Sequence, residues 1–286
     1  MRINNNIMAV NSHRQYGINA GRLGNSVERL SSGFRVNRAA DDAAGLAISE
    51  KMRTQIRGLN QASRNAQDGI SLVQTAEGAM QSAHSIMQRM RELAVQSANG
   101  TNDGDGGIDR NALQLEFKNL IDELGDIERT VKFNNMEVFG PGETDAKGVD
   151  QGLVFTLQSG ANMGDTTSFS IGRLNNVGHV GSSAAATAAI DTQAAASAAI
   201  ATLDAAINTL SMARANLGAI QNRLEFKIQN LDNTAENLQA AESRIRDVDM
   251  AQQMTAFTRD NILFQASTAM LAQANTLPQG VLQLLA

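Results

Sequence analysis

Three histidines, two acidic clusters and one glycine-rich run are the features of this sequence that invite a chemical reading. His13, His84 and His179 stand far apart and form no HExxH or comparable ligand set, so a metal site is not expected. Asp41-Asp42 and Asp247-Val248-Asp249 could supply paired carboxylates, but no nucleophile or base is suggested beside them. Neighbouring acids of this kind commonly cap helices or face solvent, and that is the expected role. The glycines between Asn99 and Gly107 lack the lysine and helix start of a phosphate cradle, and no GxxxxGK[ST] or strand-linked GxGxxG occurs. Cysteine is absent, which removes disulfides, thiolate metal sites and thiol nucleophiles together. The expectation is a chain with no catalytic residues, no metal and no cofactor, and so not an enzyme.

Elements that position no chemistry must be read for what they assemble. The hydrophobic content is 42% but aromatics are only 3% and Trp is absent, so the core must be aliphatic and rich in Ala and Met. Such a core suits thin helical layers. Only Pro141 and Pro278 interrupt the freedom to form long helices. A net charge of -5 and a pI near 5.3 give no basic field for nucleic acid. No stretch approaches the ~18 unbroken apolar residues of a membrane span, and the segment Met1 to Ile7 has no signal-peptide apolar region. The chain is therefore expected in the cytosol or exported by a route that needs no ordinary signal peptide.

The hydrophobic period predicts three long helices. Steps of seven from Met52 give Leu59, Ala66, Val73, Met80, Met87 and Ala94, with Ile56, Ile70, Ala76, Ala83 and Met90 in a less regular second row. At 1.5 Å per residue this helix spans about 60 Å. A turn at Asn99 to Gly107 leads to a second seam, Leu113, Phe117, Leu120, Leu124, Ile127 and Val131, with Asp109 available as its cap. The shortness of the turn implies antiparallel helices. The third seam places Leu203, Leu210, Leu217, Leu224, Leu231, Leu238 and Ile245 at every seventh position. Between the second and third helices the period changes to two. Leu153 to Leu157 and Ser168 to Ile171 read as strands of a hairpin, joined by the turn-rich Ser159 to Asp165. Residues 182–199 read either as an exposed loop or as an Ala-rich helical extension.

Both ends carry apolar stripes. Ile3, Ile7, Val10, Leu23, Val27 and Leu30 form one, and Ile262, Leu263, Ala266, Met270, Ala274 and Leu277 form the other. Each needs a partner. The first and last helices could pair and pack with other copies, the candidate polymerisation residues being Leu23, Val27, Leu30, Ile262, Met270 and Leu277. Periodicity alone leaves open that the termini only extend the rod of a monomer.

The segments that carry most detail resemble the bacterial flagellins. They are Glu28-Arg29-Leu30-Ser31-Ser32-Gly33-Phe34-Arg35-Val36-Asn37 with Asp41-Asp42-Ala43-Ala44-Gly45-Leu46-Ala47-Ile48, and Gln88-Arg89-Met90-Arg91-Glu92-Leu93-Ala94-Val95-Gln96-Ser97-Ala98-Asn99. In the second half they are Gln221-Asn222-Arg223-Leu224, Ala241-Glu242-Ser243-Arg244-Ile245-Arg246-Asp247, and Met270-Leu271-Ala272-Gln273-Ala274-Asn275 with Pro278-Gln279 and Val281-Leu282. Two departures are the final Ala286, where the family often ends in Arg, and a loose match over Asn11 to Gly21.

The resemblance implies a mainly α fold of long antiparallel coiled-coil helices from both chain ends with a small β-hairpin. It implies a terminal coiled-coil core from residues 1–45 and 246–286, a helical rod with the hairpin from 46–177 and 185–245, and a short variable middle at 140–199 with no large outer domains. It further implies an extracellular filament subunit of the flagellum, or alternatively a hook-filament junction protein built on the same plan. Its partners would be copies of itself, the flagellar export apparatus with an export chaperone, the filament cap and the hook-junction proteins. In flagellins recognised by the innate immune receptor TLR5, the receptor contacts match Arg89, Leu93 and Glu116 here.

Overall fold

The computed structural model describes residues 6–102, 106–140, 152–173 and 189–285, with backbone alone for 277–285. Five helices dominate: α1 (Ile7–Ser32), α2 (Ala43–Ala98), α3 (Ile108–Thr130), α4 (Gln193–Arg246) and α5 (Met250–Leu285). Two short antiparallel pairs join them, β1 (Lys132–Phe133) with β2 (Met136–Glu137), and β3 (Leu153–Gln158) with β4 (Thr166–Ile171). The mainly α class with a small hairpin is as expected. The expected β-hairpin is present, its register running from Leu153 opposite Ile171 to Gln158 opposite Thr166. The chain divides into two compact units, one of Met1–Ile56 with Glu236–Ala286 and one of Arg57–Ala235.

Unit 2 is built on the heptad seams. Along α2 the row Leu59, Ala66, Val73, Met80, Met87 and Ala94 is buried throughout. The second row is more regular than the apolar letters suggest, because Gly69 and Ser97 occupy it with Ala62, Ala76, Ala83 and Met90. Ile70 is only half-buried. Gly69 holds the seam position because the hairpin lies against it: a Cβ there would stand 2.2 Å from Leu157 Cδ1 and 3.5 Å from Leu224 Cδ1. Phe117 and Leu124 of α3 and Leu203, Leu210, Leu217, Leu224 and Leu231 of α4 are buried, most of them in the same core. Each such side chain contributes about 1.5–3 kcal/mol by leaving water. Ion pairs accompany the antiparallel order, with Arg91 Nε 2.5 Å from Asp204 and Arg214 Nη2 3.6 Å from Glu77.

Local details correct several expectations. Asp109 does not cap α3; it lies in the first turn, and Gly107 is the capping residue without a side-chain bond. Leu238 and Ile245 continue the third seam but are only half-buried. Of the segment left open between loop and helix, residues 193–199 are helical, with Ala196 and Ala199 buried; residues 182–188 lie outside the described residues. The β1–β2 hairpin was not anticipated. Its two-residue turn places Asn134 and Asn135 at φ 49° and 62°, the left-handed geometry that Asn tolerates and that matches strand twist.

Candidate assembly surfaces

Unit 1 pairs α1 with α5 in antiparallel order. Facing rows recur at seven-residue spacing: Ala9, Tyr16, Leu23 and Leu30 with Ser12, Asn19 and Ser26 on α1, and Phe257, Phe264 and Leu271 with Asp260, Ser267 and Ala274 on α5. One row on each helix is apolar and the other largely polar. Tyr16 and Phe264 rings lie 5.1 Å apart. Ser26 Oγ donates to Asp260 Oδ2 at 3.2 Å, and Asn19 Nδ2 donates to the Leu263 carbonyl at 3.3 Å. A search for apolar periodicity passes over a seam whose second row is Ser, Asn and Asp. The Phe257, Phe264, Leu271 spacing was nevertheless available in the sequence.

The expected polymerisation residues separate into two groups. Leu23 and Leu30 are half-buried in the α1 seam. Val27 on α1 and Ile262 and Met270 on α5 face outward, as do Val10, Met254 and Leu263. The side chain of Leu277, and all of Ile3, lie outside the described residues. Helix α5 is thus apolar on both sides, toward α1 through Phe257 and Phe264 and away from it through Ile262 and Met270. Met254, Ile262 and Leu263 line an open cavity of about 510 Å³ along it. An apolar stripe left exposed beside polar residues such as Thr258 and Arg259 calls for a partner on that side.

The acidic pairs act as caps and turn staples. Asp42 Oδ1 accepts from Gly45 N–H at 2.8 Å at the start of α2, and Asp249 Oδ1 accepts from Ala251 N–H at 2.9 Å at the start of α5. Asp41 accepts from the backbone N–H groups of Arg38 at 3.0 Å and Asn37 at 3.2 Å, with Arg29 3.6 Å away. The Arg38 amide, then Asn37 and Arg29, hold its carboxyl below the usual aspartate range. Between the helices, Phe34 bridges to Asp247, and Arg246 lies over the Phe34 ring at 4.7 Å while bonding Glu50 at 2.9 Å.

In unit 2, Arg89 Nε and Nη2 donate to Glu116 Oε1 at 2.9 and 2.8 Å, and Nη1 donates to Glu92 at 3.1 Å. These bonds, Glu116 first, raise the guanidinium pKa further. Arg89 and Glu116 are exposed together. Leu93 is fully enclosed in the core, so it supports this face from beneath and does not present itself on it. His84 stands 3.0 Å from Gln88, His13 lies exposed on α1, and His179 falls outside the described residues. Among the described residues no group of three His, Asp or Glu is placed to hold a metal, and no helix is long and apolar enough to cross a membrane.

The family described as bacterial flagellin N-terminal helical region matches residues 3–143, and the bacterial flagellin C-terminal helical region matches residues 200–285. The chain belongs to the bacterial flagellin family. Curated flagellin relatives include a flagellin of Halalkalibacterium halodurans, 53% identical over 286 residues, and one of Bacillus subtilis, 47% identical over 304. Flagellin FlaB1 of Treponema pallidum is 43% identical over 295 residues. In all three cases the match covers 100% of both chains. A solved structure of a putative flagellar hook-associated protein from Vibrio parahaemolyticus superposes with a TM-score of 0.59 at 14% identity, covering 72% of this chain and 100% of that one. That likeness concerns the fold alone. The flagellin signatures occupy the structural landmarks: Gly33 ends α1 in left-handed geometry at φ 74°, Asp42 caps α2, and Arg246 seals the joint against Phe34.

Proposed function

We propose that this chain is the structural subunit of a bacterial flagellar filament, polymerising through the helices of its two ends and carrying out no catalysis. The observation that carries the reading is α5, whose outward side chains Met254, Ile262, Leu263 and Met270 remain exposed after α1 has covered the other side. Copies packed about a common axis would bury them. Residues 1–45 and 246–286 form the filament core in this reading, residues 46–177 and 185–245 the surrounding helical layer, and 140–199 a short middle. The relatives matched over their whole length bear the names of flagellins, which favours the filament subunit over a hook-filament junction protein.

Swimming motility follows from rotation of such a filament outside the cell. Delivery there requires the flagellar export apparatus with its chaperone, and growth requires the hook-junction proteins at the base and the cap at the tip. The mixed apolar and polar seam between α1 and α5 suits a chain that travels unfolded and orders these helices on meeting neighbours. The test is seeded elongation viewed by electron microscopy. The full chain is expected to extend seeds. A chain lacking residues 1–45 and 246–286 is expected to remain helical by circular dichroism and to form no filament. Normal filaments from the truncated chain would refute the placement of the contacts.

A further inference from the structure

Unit 2 carries an apolar groove on one side and an unpartnered apolar ridge on another. The groove, about 630 Å³, runs between α2 and α3; Gly78 and Ser82 leave it open, Ile86, Ile127 and Val131 make its walls, and Glu123 stands in its lining. A Cβ at Gly78 would meet no atom within 4 Å among the described residues, so none of them fills the space. The ridge is Phe226 of α4, which is 71% exposed. It stands two residues, about 200° of helix rotation, from the buried Leu224, and so projects away from the core.

Charge matches the two surfaces. Arg223 and Lys227 flank Phe226, Glu123 lines the groove and Asp122 is the exposed residue before it on α3; none of these four has an ion-pair partner among the described residues. Of the other ionic groups nearby, Asp126 pairs with Arg129, Glu225 accepts from Gln221 at 3.1 Å, and Lys118 stands one turn before Asp122 on α3. Within one copy the ridge cannot reach the groove. Leu224 lies level with Gly69 of α2, whereas the groove is centred near Ser82, about 20 Å further along at 1.5 Å per residue.

We infer that the α2/α3 groove of one copy receives the Phe226 ridge of α4 from another copy, with Arg223 and Lys227 set against Asp122 and Glu123. The inference rests on the filament reading and adds to it a named contact outside the terminal helices. A protrusion and a recess on different faces of the same chain make a heterologous contact, which repeats from copy to copy. Opposite charges around an apolar centre fix the register in which it repeats.

The chain has no cysteine, so introduced thiols are unambiguous. Ser82→Cys and Phe226→Cys are made separately, mixed in equal amounts, elongated on seeds of the unaltered protein and treated with a short thiol-to-thiol linker. A cross-linked dimer is expected from the mixture and not from filaments of either variant alone. Incorporation of both variants without that dimer, or equal dimer from one variant by itself, overturns the contact. Should Phe226→Cys fail to enter filaments, charge reversal decides: Glu123→Lys is expected to slow elongation at least severalfold at low salt, and adding Lys227→Glu to restore it. Absence of that restoration overturns the contact as well. Failure of the unaltered chain to extend seeds would instead overturn the filament reading itself.

Discussion

Asn6 joins the two ends of the chain at one backbone carbonyl, that of Ala274, to which its Nδ2 donates at 2.7 Å. The same side chain caps α1, its Oδ1 accepting from Ala9 N–H at 3.1 Å. Helix α5 runs through Pro278, which has no N–H to give to the carbonyl four residues earlier, and that carbonyl belongs to Ala274. Asn6 supplies the missing donor from the other helix.

Asn6→Ala should therefore weaken the α1–α5 pair by about 1–3 kcal/mol, through loss of a cap and an unsatisfied carbonyl. Pro278→Ala restores an N–H within α5, so the loss should shrink in that background. Denaturant unfolding of the four proteins of the cycle, each assembled on seeds so that α1 and α5 are ordered, measures the coupling, expected near 1 kcal/mol. Zero coupling would show that the Asn6 amide is not the substitute donor.

Gly58 on α2 should resist the usual benefit of alanine in a helix. Its new Cβ would stand 2.8 Å from Ala161 Cβ and 3.2 Å from Ala161 Cα, displacing hairpin backbone. At Gly125 of α3 the same substitution meets nothing within 4 Å and should stabilise by roughly 0.5–1 kcal/mol. Thermal unfolding should thus give shifts of opposite sign, and a rise for both would remove the hairpin contact from consideration.

A receptor such as TLR5 that reads the Arg89 face would touch Arg89 and Glu116 directly and depend on Leu93 only for support. Arg89→Ala with Glu116→Ala should keep the helical spectrum, because exposed ion pairs contribute little to stability. Leu93→Ala should cost about 2–5 kcal/mol, as expected for a truncated core leucine. Receptor-reporter cells distinguish the roles: signalling should fall with the double variant while its unfolding midpoint stays near that of the unaltered monomer. Equal signalling by the double variant and the unaltered monomer would reject the receptor reading.

Acid should loosen both units. Asp41 and Asp204 have folded pKa values below the ordinary 3.8, Asp41 through the Arg38 amide and Asp204 through its hydrogen bond from Arg91. A depressed carboxylate adds stability that is fully present above the ordinary value and is lost as pH falls through the lower folded value. Unfolding midpoints should accordingly be insensitive to these groups near neutral pH and drop below about pH 4. Asp41→Asn should flatten the acid limb more than Asp204→Asn, whose ion pair is exposed, and a limb unchanged in both would assign the loss to other carboxylates.

Much of unit 2 was legible because one physical rule wrote it. Leu203 through Leu231 and Leu59 through Ala94 repeat at the heptad, and burial of one helix face requires that spacing whatever the partner. Gly69 was not legible as a seam residue, because its place depends on Leu157, a residue far along the chain that packs against it. The enclosure of Leu93 was not legible for a related reason: only the position of α3 and α4 decides which side of the helix around Arg89 is closed.

The sequence by itself determined the helices, their approximate ends, the hairpin and the kinship, since period, caps and turn residues act over a few positions and family signatures are local strings. Tertiary structure alone decided which apolar side chains face a partner. Phe257 and Phe264 turn toward α1 and Ile262 and Met270 away from it, although all four are apolar and within fourteen residues. That choice depends on the seam that α1 presents, where Tyr16 meets Phe264 and Ser26 reaches Asp260. Rotation of one helix about another is set by the shapes and hydrogen bonds of both, so it cannot be read from either strand of sequence alone.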